Sequence, residues 1–150
     1  MIPKQRRKFE QDFCTKLVKW LKANALDIYR DNYAMNFGPI EAKVSYDKRF
    51  SLVSGFKKYQ LKNLMIAKHG AAVYKDSDSD FRSTRPWDIN CYTRSMPAVA
   101  IMWYRELNRA RRVFYLIDPE RLVNMIKLGK KSITEEDAIA ISFRIGYIKQ

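Results

Sequence analysis

Between Ile40 and Val44 the chain alternates strictly: Ile40, Ala42 and Val44 are apolar, while Glu41 and Lys43 are charged. A period of two predicts a strand with one face on a core and the other presenting a carboxylate beside an ammonium. The period then lengthens. Phe56, Gln60 and Leu64 are four apart, so a helix over 56–68 would carry Gln60 inside its own apolar stripe. A strand feeding such a helix points to the α/β class. The paired charges are what metal-dependent phosphodiester cleavage uses: an acid to hold the cation, and a lysine to place water or offset developing charge. The same pair also reads as a surface salt bridge of little worth. Gln60 needs partners wherever it is half-buried, and either a nearby backbone group or the Glu41–Lys43 pair would serve.

At 150 residues the chain is expected to form a single domain, 1–150, able to bury a core without disulfide or metal staples. With 47% hydrophobic residues it is not a disordered chain. The longest apolar run, Met96 to Tyr104, contains Pro97 and is too short to span a membrane. No apolar segment follows the basic N-terminus, so no secretory signal is expected. Cys14 and Cys91 lack a CxxC spacing and read as reduced, buried thiols of a cytoplasmic protein. The net charge of +13 is the strongest compositional signal, because such an excess draws in polyanions. Basic residues cluster at Lys4 to Lys8, Lys57-Lys58, Arg105 to Arg112 and Lys127 to Lys131. With no basic amphipathic anchor in the sequence, they favour nucleic acid over an anionic membrane.

The first helix is expected over Arg7 to Ala25, with Phe9, Phe13, Leu17, Trp20 and Leu21 as its apolar stripe. Asp27, Asp31 and Asn32 then mark an irregular segment before the Glu41 strand. His69-Gly70 ends the second helix, with glycine as the left-handed cap and His69 in the last turn, a helix-end residue and not a ligand. Strands are expected over Ala71 to Tyr74, Trp87 to Tyr92, Ala98 to Tyr104 and Val113 to Ile117. A polar loop from Lys75 to Pro86 separates the first two, and a basic turn, Asn108 to Arg112, joins the last two as a hairpin. Asp118-Pro119 opens another helix. Ser132 and Glu135 have capping-box spacing, which favours a short helix after them over a strand.

Glu41-Ala42-Lys43, then Gln60 on the next helix, then a strand, resembles the PD-(D/E)XK nucleases, and among them the phage-type Holliday-junction resolvases. Lys8-Phe9-Glu10 is similar to the resolvase start, where a helical glutamate reaches the metal site. Lys68-His69-Gly70, Val73-Tyr74-Lys75 and Pro86-Trp87-Asp88 extend the likeness, which covers roughly residues 8 to 118. The resemblance implies a single-domain mixed β-sheet flanked by helices with a restriction-endonuclease-like core. It also implies Mg²⁺, or Mn²⁺ in its place, and hydrolysis of branched or four-way DNA by a homodimer in the cytoplasm, the host's if the gene is a phage's.

The chain departs from that pattern in its aspartate. The superfamily places it upstream of the Glu-x-Lys, where Asp27 and Asp31 sit in apparent loop. Asp88 is the better candidate, since it starts a strand after a proline that fixes the approach. Glu41 and Asp88 would then hold the ion on neighbouring strands, and Glu10 would reach it through water. Lys43 would orient the attacking water and Gln60 would fix one of these partners. Lys57, Lys58, Arg82, Arg85 and Arg94 would hold flanking phosphates. The alternative is a basic nucleic-acid-binding protein on a nuclease scaffold without catalysis.

Overall fold

The first long helix buries the stripe that its spacing marks out. In the computed structural model, which describes residues 3–31, 36–70, 72–77, 87–92, 95–104 and 111–149, helix α1 spans Pro3–Asp31. The side chains of residues 25–31, 36–38, 72–77, 87–92, 95 and 111 lie outside the description. Phe13 and Leu17 are fully buried, with Phe9, Trp20 and Leu21 packed around them. The helix is longer at both ends than Arg7 to Ala25, because Pro3 suits the first helical turn and Asp27 does not stop it. Asp27 and Asp31 are therefore helical, not in a loop.

Strand β1 (Asn36–Ser45) carries the Glu-x-Lys pair, as the alternation predicts. It runs parallel to β5 (Ser95–Trp103), with Glu41 opposite Val99 and Lys43 opposite Ile101. Strand β6 (Arg111–Ile117) pairs antiparallel with β5, and β8 (Ser142–Lys149) antiparallel with β6. The sheet order is β1-β5-β6-β8, so β1 and β8 are its edges. This mixed sheet with helices on its faces is the α/β architecture expected. β5 is buried on both faces. Ala98, Ala100 and Met102 meet α1, while Val99, Ile101 and Trp103 meet the opposite layer. An uninterrupted apolar sequence is what such a doubly covered strand requires.

The opposite layer contains α2 (Gln60–His69), α3 (Pro119–Lys127) and α4 (Glu135–Ile141). A short ladder joins β2 (Arg49–Ser51) to β7 (Ser132–Thr134), with Phe50 opposite Ile133, both buried. Gly70 caps α2 at φ 96°, its N–H donating to Ile66 O at 3.1 Å, and His69 lies in the last turn, both as expected. Asp118 caps α3 by accepting from Glu120 N at 2.9 Å. The box on α4 is Thr134–Asp137 and not Ser132–Glu135, because Ser132 is held in β7. The short helix forms, and the Ser-Phe that follows it begins β8, a strand the sequence reading did not resolve.

Strands β3 (Ala72–Ser77) and β4 (Trp87–Tyr92) form a separate antiparallel pair. Residues 78–86, with most of the expected polar loop, and 105–110 of the basic turn lie outside the described residues, although Arg111 and Arg112 belong to β6. Among the described residues no helix is long and apolar enough to cross a membrane.

Candidate functional site

Because Ile40, Ala42 and Val44 are drawn onto the α1 layer, Glu41 and Lys43 must face the other way, toward the start of α2. Helix α2 begins at Gln60, later than 56. Phe56 lies in the turn before it, buried, and Gln60 N donates to Lys57 O at 2.9 Å to start the helix. The late start puts the Gln60 side chain at the helix mouth, beside the edge strand.

There Gln60 closes a triangle. Its Nε2 donates to Glu41 Oε1 at 2.6 Å, and its Oε1 accepts from Lys43 Nζ at 2.9 Å. Lys43 Nζ lies 3.1 Å from the same Glu41 oxygen. Lys57 N also donates to Gln60 Oε1, at 2.8 Å, which ties the amide to its own turn. The network fixes the amide orientation. A flipped Gln60 would set its NH₂ against an ammonium and a backbone N–H, and its oxygen against a carboxylate. The Phe56 ring sits 5.5 Å from Lys43 Nζ and forms an apolar wall. Of the two partners open to Gln60 on sequence grounds, both are used, the charged pair and a backbone N–H.

Glu41 also lines a cavity of about 700 Å³ at the β1 edge of the sheet, with Arg7, Glu10 and Cys14 of α1, Lys43 and Phe50 among its walls. Glu10 opens onto the same space as Glu41. Gly55 closes one side. Its N–H donates to Ser51 O at 3.0 Å, and a Cβ there would overlap that carbonyl and the Phe50 ring. Cys14 is exposed in this cavity, not buried as expected; partial desolvation, then the Glu41 and Glu10 charges, pushes its thiol pKa up. Cys14 is therefore a poor nucleophile here. Beyond the end of β1, Tyr46 is raised to about 12, by burial first and then by the neighbouring Glu10.

Asp88 does open a strand, but β4 pairs with β3, whereas β1 pairs with β5. The neighbouring-strand ground for Asp88 is not met, and its side chain, like those of Asp27 and Asp31, lies outside the described residues. Arg82, Arg85 and Arg94 lie outside them as well. Lys57 and Lys58 are exposed in the turn that leads into α2. Arg7 and Cys14 were missed as wall residues, although they stand three before and four after Glu10, on one helix face. Also missed was Lys68 Nζ, which lies 2.5 Å from both Asp118 Oδ2 and Glu120 Oε2; these partners outweigh desolvation and raise its pKa.

Two carboxylates on one cavity match the chemistry of Mg²⁺, which keeps several waters and takes one or two acidic ligands. Among the described residues no group of three or more ligating side chains gathers. Comparison of the chain with protein families, with curated proteins and with solved structures finds no match.

Proposed function

We propose that this protein is a divalent-metal-dependent endonuclease that cuts branched DNA, with four-way junctions as its preferred substrate and a homodimer as its working form. The observation that carries this reading is the closed Glu41–Lys43–Gln60 triangle on a cavity shared with Glu10. Polar side chains among apolar neighbours are costly unless bonded, and these three are bonded to one another at an open strand edge.

Glu41 and Glu10 are the groups to hold Mg²⁺ or Mn²⁺. Such an ion, when bound, supplies Lewis-acid polarisation of a phosphoryl oxygen and a more acidic water. Lys43 places its ammonium beside the reacting phosphate and offsets the charge that builds on the phosphorus oxygens. Gln60 is a positioning residue, holding Lys43 and Glu41 at a fixed spacing. Arg7 on the cavity wall and the exposed Lys57 and Lys58 give phosphate contacts, which supply affinity without sequence choice. A DNA substrate fits a cytoplasmic enzyme.

One observation favours a second reading, a basic DNA-binding protein without catalysis: only two described carboxylates line the cavity. A cleavage assay on four-way, flap and linear duplex DNA separates the two. The nuclease reading expects cuts in branched DNA with Mg²⁺ and none with chelator. Binding without cuts in Mg²⁺ or Mn²⁺ would leave the second reading standing.

A further inference from the structure

A second cavity, of about 610 Å³, lies just past the carboxyl ends of β1 and β5. These two strands are parallel and end side by side, Ser45 opposite Trp103, with Tyr104 N donating to Ser45 O at 2.7 Å to close the end. The crevice beyond the carboxyl ends of parallel strands is where open α/β sheets bind ligands. Its walls hold the Tyr46, Trp103 and Tyr104 rings, together with Lys48 and the exposed acids Asp47 and Glu136. The Tyr46 and Tyr104 rings are 5.6 Å apart, and neither is fully buried. Trp103 is nine-tenths buried, at 9% exposure, and its Nε1–H has no hydrogen-bond partner among the described residues. That nitrogen is itself shut off from the cavity, so Trp103 contributes to the wall but not a donor to a guest.

The guest that suits these walls has a flat π face for the tyrosines and N–H donors for the carboxylates. A nucleobase has both, and a strand carrying it would set a phosphate near Lys48. Arg6, whose guanidinium lies 4.8 Å over the Tyr46 ring, extends the positive surface toward α1. Tyr46 stands two residues beyond Val44 and beside Glu10, so the two cavities adjoin along one strand. We infer that the Tyr46–Trp103–Tyr104 cavity is a subsite for a single unstacked nucleobase of the bound strand. The inference rests on the nucleic-acid half of the reading above and not on cleavage. It makes an unpaired nucleotide the feature by which branched DNA is selected.

The test is binding in the presence of chelator, so that cleavage plays no part. The probes are a duplex bearing one extrahelical 2-aminopurine, the same duplex with an abasic residue there, and the fully paired duplex. The extrahelical base should bind about tenfold tighter than either control, in keeping with one base–aromatic stack, and its fluorescence should be quenched. Tyr104→Leu should abolish that advantage while leaving affinity for paired duplex unchanged. Tyr46→Leu, which removes the other tyrosine ring, should also reduce it about tenfold, in keeping with one lost base–aromatic stack. Equal binding of extrahelical and abasic duplexes would overturn the inference, as would variants that keep the full advantage. Free 2-aminopurine nucleotide binding as tightly as the duplex would overturn it too, by pointing to a mononucleotide as the guest. Failure of wild-type protein to cut DNA in Mg²⁺ bears on the nuclease reading alone.

Discussion

Gln60 carries more consequence than any other single side chain described. Its oxygen takes two donors and its nitrogen holds Glu41, so its loss leaves the part-buried Lys43 ammonium with Glu41 alone and Glu41 without an amide donor. Gln60→Leu should destabilise the fold by about 1–3 kcal/mol, the cost of leaving part-buried donors unmade, as measured by denaturant unfolding. If Gln60 positions Lys43, the same variant should lower kcat more than it raises KM, and Gln60→Asn should not rescue, since the shorter arm cannot span both partners. Glu41→Gln separates binding from chemistry. Affinity rests on dispersed cations, so DNA binding should hold or rise slightly while cleavage disappears. Retention of near wild-type cutting by Glu41→Gln would show that the active site lies elsewhere.

At the level of elements, alternation marked the Glu41–Lys43 face, while the helix-face neighbours Arg7 and Cys14 and the late start of α2 at Gln60 went unread. Glu41 and Lys43 share a face because a strand has period two, and Phe13 and Leu17 are buried because a helix has period 3.6. What the spacing could not convey is which strand lies next to which. The Asp88 assignment required β4 beside β1, a long-range pairing with no local signature, and β4 pairs with β3 instead. The β8 strand was hidden for another reason: an Ala-Ile-Ala-Ile run suits helix and strand equally, and the Thr134–Asp137 cap decides for helix only as far as Ile141. In β8, Gly146 faces the buried Phe114 ring across the ladder, and a Cβ there would overlap it. Gly146→Ala should therefore cost about 1–3 kcal/mol or more through overpacking, seen as a lower Tm. Tyr46 ties α1 to the ends of β1 and β5 through Phe9, Tyr104 and Arg6. Its phenol ordinarily ionises near 10 and here near 12, so the fold favours the neutral form. That stability is full below pH 10 and is lost as pH rises from 10 toward 12, because the unfolded chain ionises first. Alkaline unfolding should show this loss in wild type and less of it in Tyr46→Phe.

At the scale of the whole molecule, the charge excess is placed against helix stability at the start of α1. The first turn of α1 holds no acid, although the positive end of a helix dipole favours one, and Lys4, Arg6, Arg7 and Lys8 are all exposed there. Arg7 continues from the Glu41 cavity wall into a neighbouring groove that also holds Lys4 and Lys8. A chain at +13 that gathers cations at a helix start beside its candidate site gains field at the expense of helix stability. That field should be read out by salt. Each phosphate neutralised releases counterions, so log K against log salt should fall with a slope of about −0.9 per contact, and several contacts make it steep. Replacing Lys4 and Lys8 together by alanine should reduce the steepness by about 2 if both meet phosphate. It should also raise helix stability slightly, by removing repulsion from the dipole. Fluorescence anisotropy of labelled duplex across a salt series gives the slope, and circular-dichroism melting gives the stability. A flat salt profile in wild type would remove nucleic acid as the partner. An unchanged slope in the double variant would instead move the contact surface away from α1, toward Lys57 and Lys58.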